Sequence, residues 1–581
     1  MQFSFIIKPH MVENGGEDMA VVRIQLDDWL KNVGLLGFYN IMNHECIGGN
    51  KIVKRSNFIE FDTSSLENFN ELYFKYLINK YRDFISVNKI TDKEEEIKEI
   101  IDKEINEKEL ERLNSYIKYA KDRLKSSSYK SAYEIINDRF DVISLCGQLK
   151  PLKLKKKENP GNIKDDINEQ CYILLKIIDY INKPEVKKII AAKNIIYDII
   201  QPFWSDVSFL NKNNNKSNMY RLYKEDFIQP VINYVDSDLK KAKYDCFTCD
   251  NKLQKLSKPF AYDITWITKM GVDGSRKSSH FWNYNSISNI CPICNLIYSC
   301  IPAGFSVVNG SGLFINNNTS VQDLLSSNSS ILKGGITLDE LEEESYFNII
   351  DSMQQKSAEE SEREMENIQI VKFDKNNSVR PYTFNMLSKK RLLILKNNKK
   401  IMQYLLNKKF KIGKEYINIY SSVLERIYNG RNLFDLIGLL IRLIISGDYK
   451  NSYLVYQLIK LNNDCMEMRG GSKVYYKDID KFKDYGMKLK KSYGKEGENK
   501  IPGILYRLQN SLKVKDQARF MDTLLNAYTS KKENIPVDFI EALKDIEKFQ
   551  TIGYAFLIGL QGAGAGENNK EDENMEKEGN N

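Results

Sequence analysis

Four of the nine cysteines of this 581-residue chain fall in two matched pairs. Cys246 and Cys249 stand in "YDCFTCD", and Cys291 and Cys294 stand in "NICPICN". Two residues separate the cysteines of each pair, a spacing that lets one tight turn aim both sulfurs at a single ion. Two such turns complete a tetrahedron of thiolates with no open position, which predicts a structural zinc site. A four-cysteine iron–sulfur cluster remains the alternative.

The spacer between the two pairs, residues 250–290, is longer than in a compact zinc ribbon. We therefore predict that the pairs clamp the base of an inserted subdomain at about residues 244–300. Cys300 lies close by, but a fifth ligand has no role, so we expect a buried thiol there. His280 lies within the spacer and is expected to be packed or exposed rather than a metal ligand.

The remaining sequence offers no recognisable catalytic constellation. None of the three histidines, His10, His44 and His280, is followed by Asp, so an HD nuclease motif is absent. Neither a GxxxxGK[ST] phosphate loop nor a GxSxG elbow occurs. We therefore predict a binding or scaffolding protein and not an enzyme. An enzyme whose catalytic carboxylates have no recognisable motif is left open.

Charge gives a mild preference for a nucleic-acid partner. The formal net charge is +8, although the last sixteen residues, "GENNKEDENMEKEGNN", hold six acids and two bases. The rest of the chain is correspondingly more basic, as in proteins that bind phosphate backbones. The abundance of Lys, Asn and Ile with little Arg also follows from an AT-rich coding sequence, which weakens this argument.

The elements that must position these residues are predominantly helical. The segment "VVRIQL" alternates like a strand, and Asp27 or Asp28 can cap the helix "DWLKNVGLLGFYNIM" that follows. We predict an α+β fold with a mixed, mostly helical N-terminal domain (19–375) that contains the zinc-clamped insertion. An all-α helical bundle follows at 384–560.

The two ends of the chain are predicted to lie outside these domains. Residues 1–18 are an N-terminal extension and residues 561–581 a disordered acidic tail. The most apolar segment, "LFDLIGLLIRLIISG", is shorter than a membrane span and carries Asp435 and Arg442. We expect a soluble cytoplasmic protein with no membrane association.

Four features in this order resemble the CXXC–CXXC family of CRISPR-associated proteins, the large subunit of the type I-B Cascade complex. These features are "VRIQLDDWLKNVGLLGFYNIM" near the start, "QPFWSDVSFL" at 201–210, the two cysteine pairs, and a C-terminal block. That block includes residues 501–539 and ends with "GYAFLIGL" at 553–560. The resemblance covers most of residues 19–560.

The resemblance implies a non-catalytic subunit of a crRNA-guided surveillance complex in antiviral defence. Its expected partners are crRNA, target double-stranded DNA, the Cascade backbone and small subunits, and a separate helicase–nuclease. The N-terminal domain would recognise the motif that flanks the target, stabilise the R-loop and recruit the nuclease. The C-terminal bundle resembles the small subunits. A stand-alone zinc-stabilised regulator that binds nucleic acid is the alternative.

Basic side chains that could contact phosphates occur in three places: a joint near 149–161, the zinc-clamped insertion, and the C-terminal bundle. Ordinary solvated surface charge is the competing interpretation for each group. The candidates are Lys153, Lys155, Lys156 and Lys157; Lys269, Arg276 and Lys277; and Arg507, Lys513 and Arg519.

Overall fold

The chain forms two compact units in which helices predominate and the sheets are small. The computed structural model describes residues 6–7, 21–44, 52–103, 105–154, 160–240, 242–267, 289–330, 332, 334–354, 368–377, 380–468, 473–494 and 497–562. One unit comprises Met1–Leu341 with Ile368–Phe384, and the other comprises Glu342–Asn367 with Asn385–Asn581. The predicted α+β class is confirmed.

A four-stranded antiparallel sheet opens the first unit. Its strands are β1 (Ile6–Ile7), β2 (Val21–Gln25), β3 (Ile52–Lys54) and β4 (Phe58–Asp62), in the order β1-β2-β4-β3. The alternation of "VVRIQ" buries Val22 and Ile24 on one face, as a half-buried strand requires. Ile6 pairs with Val22, so two residues of the predicted N-terminal extension form the edge of this sheet.

Helices form most of the first unit. Asp28 caps the first of them through Lys31 N–H (2.9 Å), which identifies the capping residue that the sequence left open between Asp27 and Asp28. The described helices are α1 (Trp29–Met42), α2 (Phe69–Lys80), α3 (Ser86–Thr91), α4 (Glu94–Asp102), α5 (Glu107–Leu124), α6 (Ser127–Ile136), α7 (Val142–Gln148), α8 (Lys164–Asn182), α9 (Pro184–Ile195), α10 (Met219–Tyr223) and α11 (Gln229–Val235).

The described residues after α11 form two short ladders, several helices and a second sheet. The ladders pair β5 (Tyr244–Asp245) with β6 (Lys252–Leu253), and β7 (Tyr262–Asp263) with β8 (Asn289–Ile290). Helices α12 (Pro292–Ser299) and α13 (Ile301–Gly304) follow. The second sheet has the order β12-β11-β10-β9, with the strands β9 (Ser306–Val308), β10 (Ser311–Asn316), β11 (Ile368–Asp374) and β12 (Tyr382–Leu387), and α14 (Val321–Ser327) follows β10 in sequence.

Helix α1 crosses α12 and α13 at backbone contact distance. A Cβ atom added at Gly37 would overlap the carbonyl oxygen of Cys300, and one at Gly304 would overlap the carbonyl oxygen of Val33. The crossing therefore requires glycine at both positions. The conspicuous "GLLG" of the N-terminal helix is thus explained by its contact with the helix that follows the second cysteine pair.

The motif "QPFWSDVSFL" belongs to the hydrophobic core. Phe203 and Trp204 are fully or almost fully buried, and Phe209 stacks on Trp204 with ring centroids 5.3 Å apart. Phe203 stacks in turn on Phe305, with centroids 5.0 Å apart. Aromatic pairs of this kind stabilise a core beyond the area that they bury, so this motif serves packing.

The second unit, as far as its residues are described, is a helical bundle that also contains a hairpin. Its described helices are the C-terminal part of α15 (Leu338–Gln354), α16 (Lys389–Asn397), α17 (Lys399–Leu405), α18 (Ile419–Tyr428), α19 (Phe434–Ser446), α20 (Ser452–Met468), α21 (Tyr476–Tyr493), α22 (Gly497–Val514), α23 (Gln517–Thr529), α24 (Asp538–Ala542) and α25 (Ile546–Gln561). Helix α25 is buried from Phe549 to Leu560, as expected for the centre of a bundle.

The bundle differs from the all-α prediction at residues 409–418. Strands β13 (Lys409–Ile412) and β14 (Glu415–Asn418) pair as an antiparallel hairpin. Gly413 occupies the turn with a φ of +60°, a conformation that glycine adopts without steric cost.

Among the helices described, none is both long and apolar enough to cross a membrane. Helix α19, which contains most of the segment "LFDLIGLLIRLIISG", has thirteen residues.

Candidate metal centre

The first cysteine pair lies at the tip of the β5–β6 hairpin. The amide of Cys246 donates to the carbonyl of Asn251 (2.8 Å), and the amide of Asp250 donates to the carbonyl of Cys246 (3.0 Å). Asp250 has a φ of +56°, which reverses the chain immediately after Cys249. This turn brings both sulfurs to the same side, as the two-residue spacer predicts.

The second pair lies at the start of α12. Cys291 caps this helix, and its Sγ accepts a hydrogen bond from the amide of Cys294 (3.4 Å). Pro292 occupies the first turn, where its fixed φ suits a helix and its missing N–H costs nothing. The amide of Phe247 donates to the carbonyl of Asn289 (2.9 Å), which ties the first turn to the second.

The four sulfurs form one compact cluster. They all lie within 4.8 Å of one another, with 3.6 Å between Cys249 and Cys291 and 3.9 Å between Cys246 and Cys294. A tetrahedron with metal–sulfur bonds of about 2.3 Å has edges of about 3.8 Å. All four cysteines are free thiols and are at most 6% exposed. The geometry is therefore that of a metal site.

Burial makes this cluster costly without a cation. Burial raises the pKa of the Cys291 thiol well above its ordinary value. Burial also opposes ionisation of Cys246, but hydrogen bonds from the other three cysteines outweigh it and hold the pKa of Cys246 well below the ordinary value. One thiolate is thus stabilised by its neighbours, whereas four thiolates at this spacing require a bound cation.

Helix α1 places a positive side chain beside the cluster. Lys31 is only 4% exposed and its Nζ pairs with Asp27 (3.1 Å). Burial disfavours its ammonium, yet the negative charges of Cys294, Asp27 and Cys249 outweigh this effect and raise the pKa of Lys31. The ammonium therefore offsets part of the negative charge that four thiolates would concentrate there.

A cavity of about 10 Å³ separates α1 from the cluster, and its wall includes Lys31, Cys249, Cys294 and Asn251. Asn251 is 8% exposed, and its Nδ2 has no hydrogen-bond partner among the described residues. An amide donor beside Cys249 suits a thiolate acceptor, since ligands of metals commonly accept hydrogen bonds from outer groups.

Cys300 lies outside the cluster. It is fully buried, and its thiol donates to the carbonyl of Leu296 (3.4 Å). This is the buried thiol that the sequence predicts. His280 lies outside the described residues.

The predicted phosphate-binding residues are only partly described. Lys153 is exposed beyond α7, and Arg507 and Lys513 on α22 and Arg519 on α23 are exposed on the bundle. The apolar neighbours Leu508, Leu512 and Phe520 are buried, as the helical pattern predicts. The remaining candidates lie outside the described residues: Lys155, Lys156, Lys157, Lys269, Arg276 and Lys277. The role of all these side chains in binding stays a prediction.

Lys31 and Asn251 are residues of the site that were not predicted from the sequence. Asn251 directly follows the first cysteine turn, and this closeness in sequence could have indicated a role beside the metal ligands. Lys31 lies more than two hundred residues before the cysteines, and its helix carries no pattern that relates it to them.

Comparison with known proteins supports one relationship. A family model described as "CRISPR-associated protein (Cas_CXXC_CXXC)" matches residues 239–306. No curated protein and no solved structure matches the chain. The matched residues hold all four clustered cysteines together with the two ladders, α12 and α13. Over the segment that builds the metal centre, this chain is therefore similar to the CRISPR-associated CXXC–CXXC family.

Proposed function

We propose that this protein is the non-catalytic large subunit of a type I-B Cascade complex. The observation that carries the proposal is the coincidence of the buried four-cysteine cluster with the segment that matches the CRISPR-associated family. The four features that resemble this family along residues 19–560 support the assignment to the large subunit.

The metal in this proposal is a structural zinc ion held by Cys246, Cys249, Cys291 and Cys294. Four thiolates fill the tetrahedral coordination of zinc, so no position is left for water or substrate. Zinc would fasten the β5–β6 turn to the start of α12, and α12 and α13 pack against α1. The ion would stabilise the N-terminal unit and take no part in a reaction.

Lys31 provides a test of the charge at this site. Replacement Lys31→Met should weaken zinc binding by about tenfold or more, in the range known for groups that surround metal ligands. Lys31→Arg keeps the positive charge and should retain most of the affinity. Competition with a chromophoric chelator measures the affinity directly.

The matched control is Lys98→Met, because Lys98 lies on the exposed face of α4 and pairs with Glu94 (2.7 Å). Its zinc affinity should equal that of the unmodified protein. If Lys31→Met binds zinc as tightly as the unmodified protein, Lys31 does not contribute to the metal site.

The partners in this proposal are crRNA, double-stranded target DNA, the Cascade backbone and small subunits, and a helicase–nuclease, all in the cytoplasm. The exposed Arg507, Lys513 and Arg519 of the bundle would neutralise phosphates with release of counterions. Base pairing with the crRNA would read most of the target, and this subunit would read only the short flanking motif.

Reconstitution tests the proposal. The chain is expressed with its neighbouring subunits and a crRNA, and binding is measured to matched targets that differ only in the flanking sequence. We expect binding that depends on the flank and is lost when this chain is omitted. Unchanged binding without the chain would contradict the proposal. Tight binding of the isolated chain to one defined duplex would instead favour the stand-alone regulator.

A further inference from the structure

We propose that the outer face of the first cysteine turn binds unpaired nucleotides, with bases stacked on Phe247 and Tyr244. The inference rests on the proposed function in one respect, because it takes nucleic acid as the class of partner. It goes beyond the proposed function because a structural metal site need not bind nucleic acid, whereas here the hairpin that carries two of the ligands does.

Two aromatic side chains of the β5–β6 hairpin are exposed to solvent. Phe247 is 43% exposed although it lies between Cys246 and Cys249, which are 1% and 6% exposed. Tyr244, two residues before Cys246 on β5, is 44% exposed. Both rings are therefore accessible to a ligand.

Hydrogen bonds hold the backbone beneath these rings in place. Phe247 N–H is bonded to Asn289, as described above, and Thr248 Oγ1 lies 3.1 Å from the hydroxyl of Tyr298 on α12. The hydroxyl of Tyr234 donates to the carbonyl of Lys252 on β6 (2.7 Å). A ring on a fixed backbone loses little conformational entropy when a base stacks on it, so the surface is preorganised.

The charge around the rings matches a phosphate backbone. Residues 238–258 contain six lysines and three aspartates. Lys243, Lys252 and Lys255 are exposed in or next to the hairpin, and Lys252 pairs with Asp245 across it (2.6 Å). Aromatic faces flanked by lysines are the combination that binds single strands, because bases stack while cations neutralise phosphates.

This combination favours unpaired nucleotides over a duplex or an apolar protein surface. A duplex keeps its base faces stacked on one another, so the two rings would find no partner in it. An apolar protein surface would offer no anion to Lys243 and Lys255. Single-stranded DNA and single-stranded RNA share the required chemistry, and the experiment below distinguishes them.

The test uses the full-length zinc-loaded chain at low ionic strength. Fluorescence anisotropy measures its binding to labelled oligothymidine, oligouridine and a mixed-sequence DNA duplex. We expect the double variant Tyr244→Ala, Phe247→Ala to bind the preferred single strand at least about tenfold more weakly, given what one stacked base contributes. Binding to the duplex should change little. Phe247→Ala alone should also weaken binding to the single strand, whereas Phe247→Trp, which keeps an aromatic ring, should retain the affinity of the unmodified protein.

Tyr172→Ala is the matched control, since Tyr172 lies on α8 and is 55% exposed. Its single-strand affinity should remain that of the unmodified protein. The zinc content and the thermal unfolding of all variants are measured in parallel, so that a loss of folding is not counted as a loss of binding. Lys252→Gln with Lys255→Gln should reduce the salt dependence of binding to every probe.

The inference is overturned if neither single strand binds at low ionic strength, or if the double variant binds like the unmodified protein. It is also overturned if the double variant loses only its assembly with other subunits, which would assign the rings to a protein partner. Flank-dependent target binding by the reconstituted complex is a separate readout. Its persistence alongside a negative single-strand result would reject this inference and leave the proposed function intact.

Discussion

Replacement of Cys291 by serine is expected to abolish stoichiometric metal binding and to unfold the segment around the two cysteine pairs. Cys291 contributes a sulfur to the cluster and caps α12 through the amide of Cys294. Structural zinc sites of this type bind with about 10–16 kcal/mol, and that free energy is coupled to folding. A serine hydroxyl is a poor substitute for a thiolate ligand, so most of this stabilisation should be lost.

Elemental analysis of the purified protein measures this effect, and hydrogen exchange locates the unfolded segment. The unmodified protein should hold one zinc ion, and residues 242–267 and 289–304 should gain exchange in Cys291→Ser. Cys300→Ser is the control, because Cys300 is equally buried and nine residues away but bonds only to groups outside the cluster. Full zinc content in Cys291→Ser would refute the four-cysteine site. If the unmodified protein contains iron and sulfide, the four cysteines hold an iron–sulfur cluster and not zinc.

Substitution Gly37→Ala should destabilise the first unit by about 3 kcal/mol, the upper end of the usual cost of overpacking. The added methyl group would overlap the carbonyl oxygen of Cys300 and approach the amide of Gly304. Both are backbone atoms, which cannot rotate away as a side chain would, so α1 and α13 must separate. Because α12 precedes α13, the separation should also lower the affinity for zinc.

Urea unfolding compares this variant with Gly147→Ala. Gly147 lies within α7, where an added Cβ would meet no atom within 4 Å. In a helix, alanine is favoured over glycine by about 0.5–1 kcal/mol, so the control should be neutral or slightly stabilised. Equal stabilities of the two variants would mean that α1 and α13 are not in backbone contact.

The parts of the site that follow from local chemistry were predictable. The two-residue spacers of the cysteine pairs fix where their sulfurs point, and the structure brings all four together. The capping of α1 by one of two aspartates and the burial of Leu508, Leu512 and Phe520 follow equally from neighbouring residues. Each of these features involves only a few consecutive residues or one helix period.

The features that escaped prediction depend on packing between distant segments. Lys31 reaches the cysteine cluster because glycines let α1 approach α12 and α13, and no local pattern encodes that approach. The hairpin at 409–418 was missed for a different reason. Its strands have only four residues each and stand between helices, so the helical periodicity around them dominated the pattern.

The crossing of α1 over α13 also constrains the order of events during synthesis. Helix α1 is complete at residue 42, but its partner glycine is residue 304. At roughly 5–20 residues per second, the ribosome needs on the order of tens of seconds to bridge that distance. Over this interval the apolar helix α1 lacks α12 and α13, which pack against it in the folded protein. The nascent chain must therefore carry an uncovered apolar helix, a natural substrate for chaperones, until the second cysteine pair has left the exit tunnel.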